Sequence, residues 1–299
     1  NRQAVVDWWR LSQYRPSAAI QQLAANNTMI GRGRDLFYVS NPQIQDSQSF
    51  NQSCSTGGSE QTIVLGCYKL QQIYLYNVTD SRLNGAQEVT AAHEMLHAVY
   101  ERLSATEREN VNALLKPIID GMKDERILGL IKVYNKEEPG QLYNEMHSIL
   151  GTEVASLSPE LEVYYKQYFS DRSKVVAYAQ AYQGPFVESQ NRVTGYTAQL
   201  AELKMQIDQN NTELQNQKTV LQAASNELNR LRAGGDFGAY NQAVPPYNQK
   251  VDEFNALLEQ NKSLIDTYND TVVKINDEAA AQANLYQGLN SKYDAADQQ

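Results

Sequence analysis

AAHEMLHAVY, residues 91–100, is the stretch on which the reading of this chain turns. Residues four apart share one face of an α-helix, so His93 and His97 can aim imidazole nitrogens at one ion. Glu94 stands one residue on, where its carboxylate flanks such an ion instead of binding it. Zinc takes neutral histidine nitrogen at about 2.0–2.1 Å and, in catalytic sites, keeps one position for water. It lowers the pKa of that water towards about 7. Glu94 is then placed to take the water's proton and pass it to a leaving amine. The chain has three histidines, and two of them fall in this motif. The apolar pairs around them (AA, ML, AV) predict a largely buried helix. Two buried histidines and a glutamate are costly there without a shared partner. The competing reading, a core helix with satisfied polar groups, accounts for the apolar neighbours but not for the spacing.

Working outward, three β-like runs precede this helix: DLFYVS (35–40), TIVLGCYKL (62–70) and QIYLYNV (72–78). Their β-branched and aromatic content suits strands, and the last two are close enough for a hairpin. Pro16 suits the start of a helix over Ser17–Ala25. Asn84 and Gln87 have the form of a capping box, which starts the HEMLH helix and carries it to about Leu103. Ser104 and Glu107 form a second box, for a helix to about Met122. Further helices are expected from about Pro139 to Ser156 and from Ser158-Pro159, the latter carrying VYYKQYF. Gly184-Pro185 is expected to end this region.

The motif resembles the signature of the zincin metallopeptidases, HExxH on a helix. The metzincin branch is excluded: its longer motif needs Gly where Tyr100 stands and His where Leu103 stands. The gluzincin branch takes its third ligand from a Glu on a later helix, and EPGQLYNEMHSILGTEV (138–154) resembles that helix in thermolysin-like enzymes. Asn144-Glu145, Ser148 and Gly151-Thr152 match in kind. Ile149 stands where the family has an Asp that steadies a zinc-bound histidine, so that support must come from elsewhere. The likeness covers about a tenth of the chain. It implies a zincin-like domain, a Zn2+ cofactor held by His93, His97 and Glu145, and Glu94 as the catalytic residue. His147 and Glu153 remain alternatives for the third ligand. Glu145 and His147 lie about 200° apart on a helix, and Glu145 and Glu153 about 12 Å apart along it, so only one of the three can serve. QIYLYNV would take the place of the zincin edge strand, which pairs with an extended substrate backbone, or be an ordinary core strand. The tyrosines of VYYKQYF and AYAQAY read as helix packing, with an oxyanion role as the alternative.

Past Pro185 the composition shifts to Gln, Asn, Leu, Glu and Lys. Phe186, Val193, Leu200, Ile207, Leu214, Leu221 and Leu228 recur every seven residues, and Val251, Leu258, Ile265 and Val272 resume the spacing after AGGDFGAYNQAVPPY. Sustained heptads predict a coiled coil, here an antiparallel hairpin with arms on the order of 65 Å. Two separate self-associating coils are the other reading. The fold class is therefore α+β, mostly α. A zincin-like domain with a small sheet spans 1–184, and a coiled-coil helical hairpin spans 185–299.

The chain of 299 residues carries a formal charge of −9, which argues against nucleic-acid binding. No apolar run approaches the roughly 20 residues that span a bilayer. Residue 1 is Asn, as expected of a mature or trimmed chain that has lost an upstream signal or anchor. The two cysteines, Cys54 and Cys67, predict one disulfide and an extracytoplasmic setting, secreted or at the cell surface. The function expected is zinc-dependent cleavage of a protein or peptide substrate, with the coil as a docking arm or gate. A structural coiled-coil protein with an inactive zincin domain, and a zinc amidase acting on cell-wall material, are the alternatives.

Overall fold

Side-chain caps and left-handed turns set most element boundaries. The structure, a computed structural model, describes residues 2–54 and 64–292. Helix α1 (Arg2–Gln13) opens the chain and is followed by α2 (Ala18–Asn26), whose N-cap Ser17 accepts from the Ile20 N–H. Helix α3 (Gly31–Val39), strand β1 (Gln43–Gln45) and helix α4 (Ser47–Ser53) come next. Strands β2 (Gly66–Lys69) and β3 (Gln72–Tyr76) form the expected hairpin, turning at Leu70 and Gln71, both with positive φ. The first residues of the predicted 62–70 strand lie outside the described residues.

Helix α5 (Ala86–Glu101) carries the histidine motif. Its N-cap is Gly85, not Asn84. The left-handed φ of +98° at Gly85 suits glycine, and the backbone of Tyr178 approaches too closely to leave room for a side chain. Helix α6 (Ala105–Asp120) begins with the Ser104–Glu107 box, both bonds of which are formed. Helices α7 (Glu125–Glu137), α8 (Leu142–Thr152) and α9 (Pro159–Tyr165) follow, the last with Ser158 as N-cap and Pro159 in its first turn. Helix α10 (Arg172–Ala233) and helix α11 (Phe237–Leu289) close the described chain.

The sheet is three-stranded in the order β1-β3-β2, with β1 parallel and β2 antiparallel to β3. DLFYVS (35–40) is helical, not a strand. Its short apolar run fits either period. Packing decides: Gly33, Leu36 and Phe37 fall on one helical face, and that face is buried. The core joins this face to β3 through Ile73 and Leu75, to α5 through Met95 and Leu96, and to Tyr165 and Phe169. The tyrosines of VYYKQYF belong to it, as read. A smaller cluster of Ile127, Ile131, Met146 and Ile149 fastens α7 to α8. Neither α1 nor α7 is among the helices expected from the sequence.

The chain divides into two compact units, Asn1–Phe186 with Asn284–Gln299, and Val187–Ala283. The sequence reading ran the coil from 185 to the end. Instead the last turns of α11 belong to the first unit, where Leu285 and Leu289 pack on Leu83 and Ala86. Gly184-Pro185, expected to end the first region, lies beside the unit boundary at Phe186, although α10 runs through it. Likewise α11 contains Pro245 and Pro246, and the break is confined to Gly234–Asp236. An interior proline loses one backbone bond, a local cost in helices of 62 and 53 residues.

The second unit is the antiparallel helical hairpin expected from the heptads. Asn261 donates to Asn211 Oδ1 at 2.8 Å, and Glu278 accepts from Ser189 and Arg192 at 2.7 and 2.5 Å. A disulfide joins Cys54 at the end of α4 to Cys67 on β2. Among the described residues no helix is long and apolar enough to cross a membrane.

Candidate metal centre

Four helical residues bring His93 and His97 round to one side of α5, and their Nε2 atoms lie 3.0 Å apart. Helix α8 packs along α5 and delivers Glu145 from its first turn. Glu145 Oε1 is 3.4 Å from His93 Nε2, and Oε2 is 3.5 Å from His97 Nε2. The donor atoms of these residues all lie within 4.8 Å of one another. Donors about 2.0–2.1 Å from a shared tetrahedral ion stand about 3.4 Å apart, which matches the spacing of this trio. Two neutral nitrogens and a carboxylate oxygen are a ligand set suited to a divalent transition metal. This group can hold a metal ion.

The other two candidates for third ligand go elsewhere. His147 is fully buried on α8, and its Nε2 pairs with the Tyr164 hydroxyl at 2.8 Å. Its ring packs among Tyr100, Tyr164 and Tyr165, and burial pushes its pKa down to about 3. Glu153, the C-cap of α8, is held by Arg126 of α7 at 2.5 Å and by Gln183 at 2.8 Å.

Asn144 supplies the support that Ile149 cannot. Its Oδ1 lies 3.0 Å from His97 Nδ1, and its amide nitrogen donates to Gln141 Oε1 at 3.2 Å. That second bond fixes the amide with its oxygen towards the imidazole. His97 therefore carries its proton on Nδ1, which leaves the Nε2 lone pair facing the site. Glu145 is itself hydrogen-bonded by Tyr134 of α7. The sequence held no signal for Tyr134, which reaches the site only because α7 packs on α8.

Glu94 is 6 % exposed and is not one of the three donors. Its carboxylate accepts a hydrogen bond from the Tyr68 backbone N–H, and burial raises its pKa to about 7. Gly66 of β2 makes this placement possible. A Cβ there would lie 2.9 Å from Glu94 Oε1 and 2.5 Å from Thr90 Cγ2. The charges of the trio are interlocked. Burial opposes a charged His93, but the Glu145 carboxylate overrides it and raises His93 to about 9. Burial, then the charge on His93, lower His97 to about 4. Burial alone would raise Glu145, yet the two histidines hold it near 2. A metal ion at this point would take the place of the proton on His93 and pair with the Glu145 carboxylate.

No family model, curated protein or solved structure matches this chain. The functional reading therefore rests on the site's own geometry and on the cleft around it.

That cleft measures about 990 Å³ and is lined by the trio, by Glu94, by α7 residues such as Arg126 and Tyr134, and by Tyr182, Tyr286 and Leu289. Residues 64–68 run along it. The strand at the cleft is thus β2, which lies at one edge of the sheet among the described residues. QIYLYNV, read as an edge strand or an ordinary core strand, is the central strand, because β1 covers its other side. Leu65 O accepts from Tyr76 N–H at 2.8 Å, and Cys67 and Lys69 continue that alternation opposite Tyr74 and Gln72. The backbone groups of Gly66 and Tyr68 consequently turn away from β3. Of the AYAQAY tyrosines, Tyr182 reaches the cleft wall.

Proposed function

We propose that His93, His97 and Glu145 hold a zinc ion and that the protein hydrolyses peptide bonds, with Glu94 as the proton-transfer residue. One observation carries this reading. Three donors from two helices converge on a point beside a buried carboxylate that is not among them. The division into two histidines and a glutamate as ligands, with a separate glutamate next to the first histidine, is the arrangement of the gluzincin-like enzymes that the sequence resembles. When bound, zinc supplies Lewis acidity, which polarises a carbonyl and acidifies water.

The chain's own residues supply the rest. Asn144 holds His97 in the tautomer that leaves Nε2 free to bind. Tyr134 steadies Glu145. The Tyr68 N–H orients Glu94, whose carboxylate takes a proton and returns it to the leaving amine. The Tyr68 N–H is taken by Glu94, but the Gly66 backbone groups and the Tyr68 carbonyl, which turn away from β3, suit pairing with an extended peptide by strand addition, which favours a peptide over a compact substrate. The disulfide supports an extracytoplasmic setting.

Two measurements on the purified protein test the proposal. Metal analysis should give about one zinc per chain, lost in His93→Ala. Digestion of a peptide library, read by mass spectrometry, should show cleavage that falls by about 10²–10⁴-fold in Glu94→Gln while zinc is retained. Zinc-free wild-type protein sinks the metal assignment. Equal digestion by wild type and Glu94→Gln sinks the peptidase.

A further inference from the structure

Helix α1 is amphipathic in the reverse of the usual sense. Its polar side faces the protein: Asp7 pairs with Arg102 at 3.0 Å, Arg10 donates to Gln71 at 2.9 Å, and Gln3 donates to Asp7 at 2.8 Å. Its apolar side faces out. Trp8 is 70 % exposed and Trp9 59 %, and Val5 and Val6 are exposed beside them. The hairpin turn bonded to α1 through Gln71 carries Leu70, which is 91 % exposed. A surface helix normally buries its apolar stripe, and a group of large exposed apolar side chains marks a contact surface.

Charge and size say what that contact is. The chain is acidic overall, yet Asp7, the one acid in residues 1–16, lies on the protein-facing side with its charge taken by Arg102, so α1 turns no acid outward. Arg15, just past the end of α1, and Lys69, beside Leu70 in the chain, are exposed. The outer face of a 12-residue helix is ~18 Å long and ~10 Å wide. That is about 200 Å², far below the ~800 Å² per partner of a stable protein interface. A helix lying in a lipid headgroup layer needs no more than its own face, and tryptophan flanked by basic residues suits that layer. We propose that α1 docks the protein onto an anionic lipid surface, with Trp8, Trp9, Val5 and Val6 entering the headgroup region. This surface does not depend on the metal centre.

Trp8 and Trp9 are the chain's two tryptophans, so their fluorescence reports on this face alone. The full-length protein is titrated with vesicles of phosphatidylglycerol and phosphatidylcholine, and binding is followed by emission wavelength and by co-sedimentation. A blue shift with co-sedimentation is expected, weaker in high salt. Trp8→Ser/Trp9→Ser should reduce sedimentation at least tenfold while leaving the circular dichroism spectrum unchanged, since neither side chain is in the core. Two results overturn the proposal. One is no blue shift and no sedimentation with these vesicles. The other is a blue shift that grows with protein concentration without lipid and tracks a dimer in ultracentrifugation, which would make a second copy the occupant.

Discussion

Asn144 and His147 stand three residues apart on α8 and have opposite consequences. Asn144 acts on the site through His97 alone. Asn144→Ala frees the imidazole to rotate and to change tautomer, so zinc affinity should fall by about 10–100-fold, measured by competition with a chromophoric chelator, with little change in stability. His147 is stacked among tyrosines and hydrogen-bonded to Tyr164. His147→Ala leaves a cavity among Tyr100, Tyr164 and Tyr165, at a cost of about 2–4 kcal/mol in denaturant unfolding, but zinc stoichiometry should stay at one. Loss of metal in a folded His147→Ala protein would return His147 to the ligand set. The motif showed His93, Glu94 and His97 directly, because i and i+4 share a helix face whatever the rest of the fold does. The choice among Glu145, His147 and Glu153 needed α8 to be placed against α5, since all three have ligand chemistry and only their rotation about α8 and position along it separate them.

Among the elements, the helical hairpin was the most legible, because a seven-residue repeat specifies a seam by local geometry. Its polar positions carry information too. The Asn261 amide is buried between the arms, with Nδ2 bonded to the exposed Asn211 and Oδ1 lacking a partner. The two ends of this bond should respond with opposite signs. Asn211→Ala strands a buried donor and should destabilise by about 1–3 kcal/mol. Asn261→Leu removes the buried amide altogether and should be neutral or stabilising by about 1 kcal/mol, at the expense of register. Far-UV circular dichroism in urea distinguishes them, and equal losses at both positions would contradict this account. DLFYVS was misread as a strand, and QIYLYNV stayed open between edge and core, for a shared reason. A short apolar run fits a strand or a helix equally, and whether a strand lies at the edge depends on a partner as brief as Gln43–Gln45.

At the scale of the molecule, an ion held by His93, His97 and Glu145 would tie α5 to α8 by contacts that exist only in the folded chain. A ligand that binds the native state alone adds RT ln(1 + [L]/Kd), about 4 kcal/mol at a thousandfold excess over Kd. EDTA should therefore lower the melting midpoint of the unit carrying the site by on the order of 10 °C in scanning calorimetry. A His93→Ala variant should not respond to the chelator. The amino-acid sequence alone determined a mostly helical chain, a β-hairpin before the HEMLH helix, a local disulfide and a heptad hairpin. Each of these follows from spacing between near neighbours. Tertiary structure alone decided that Glu145 is the third donor, that Asn144 takes the supporting role Ile149 left open, and that β2 lines the cleft. It also brought the end of α11 back to the first unit and left the tryptophans of α1 facing outward. These depend on how elements far apart in the chain pack, and packing is set by the summed fit of many side chains, not by any one motif.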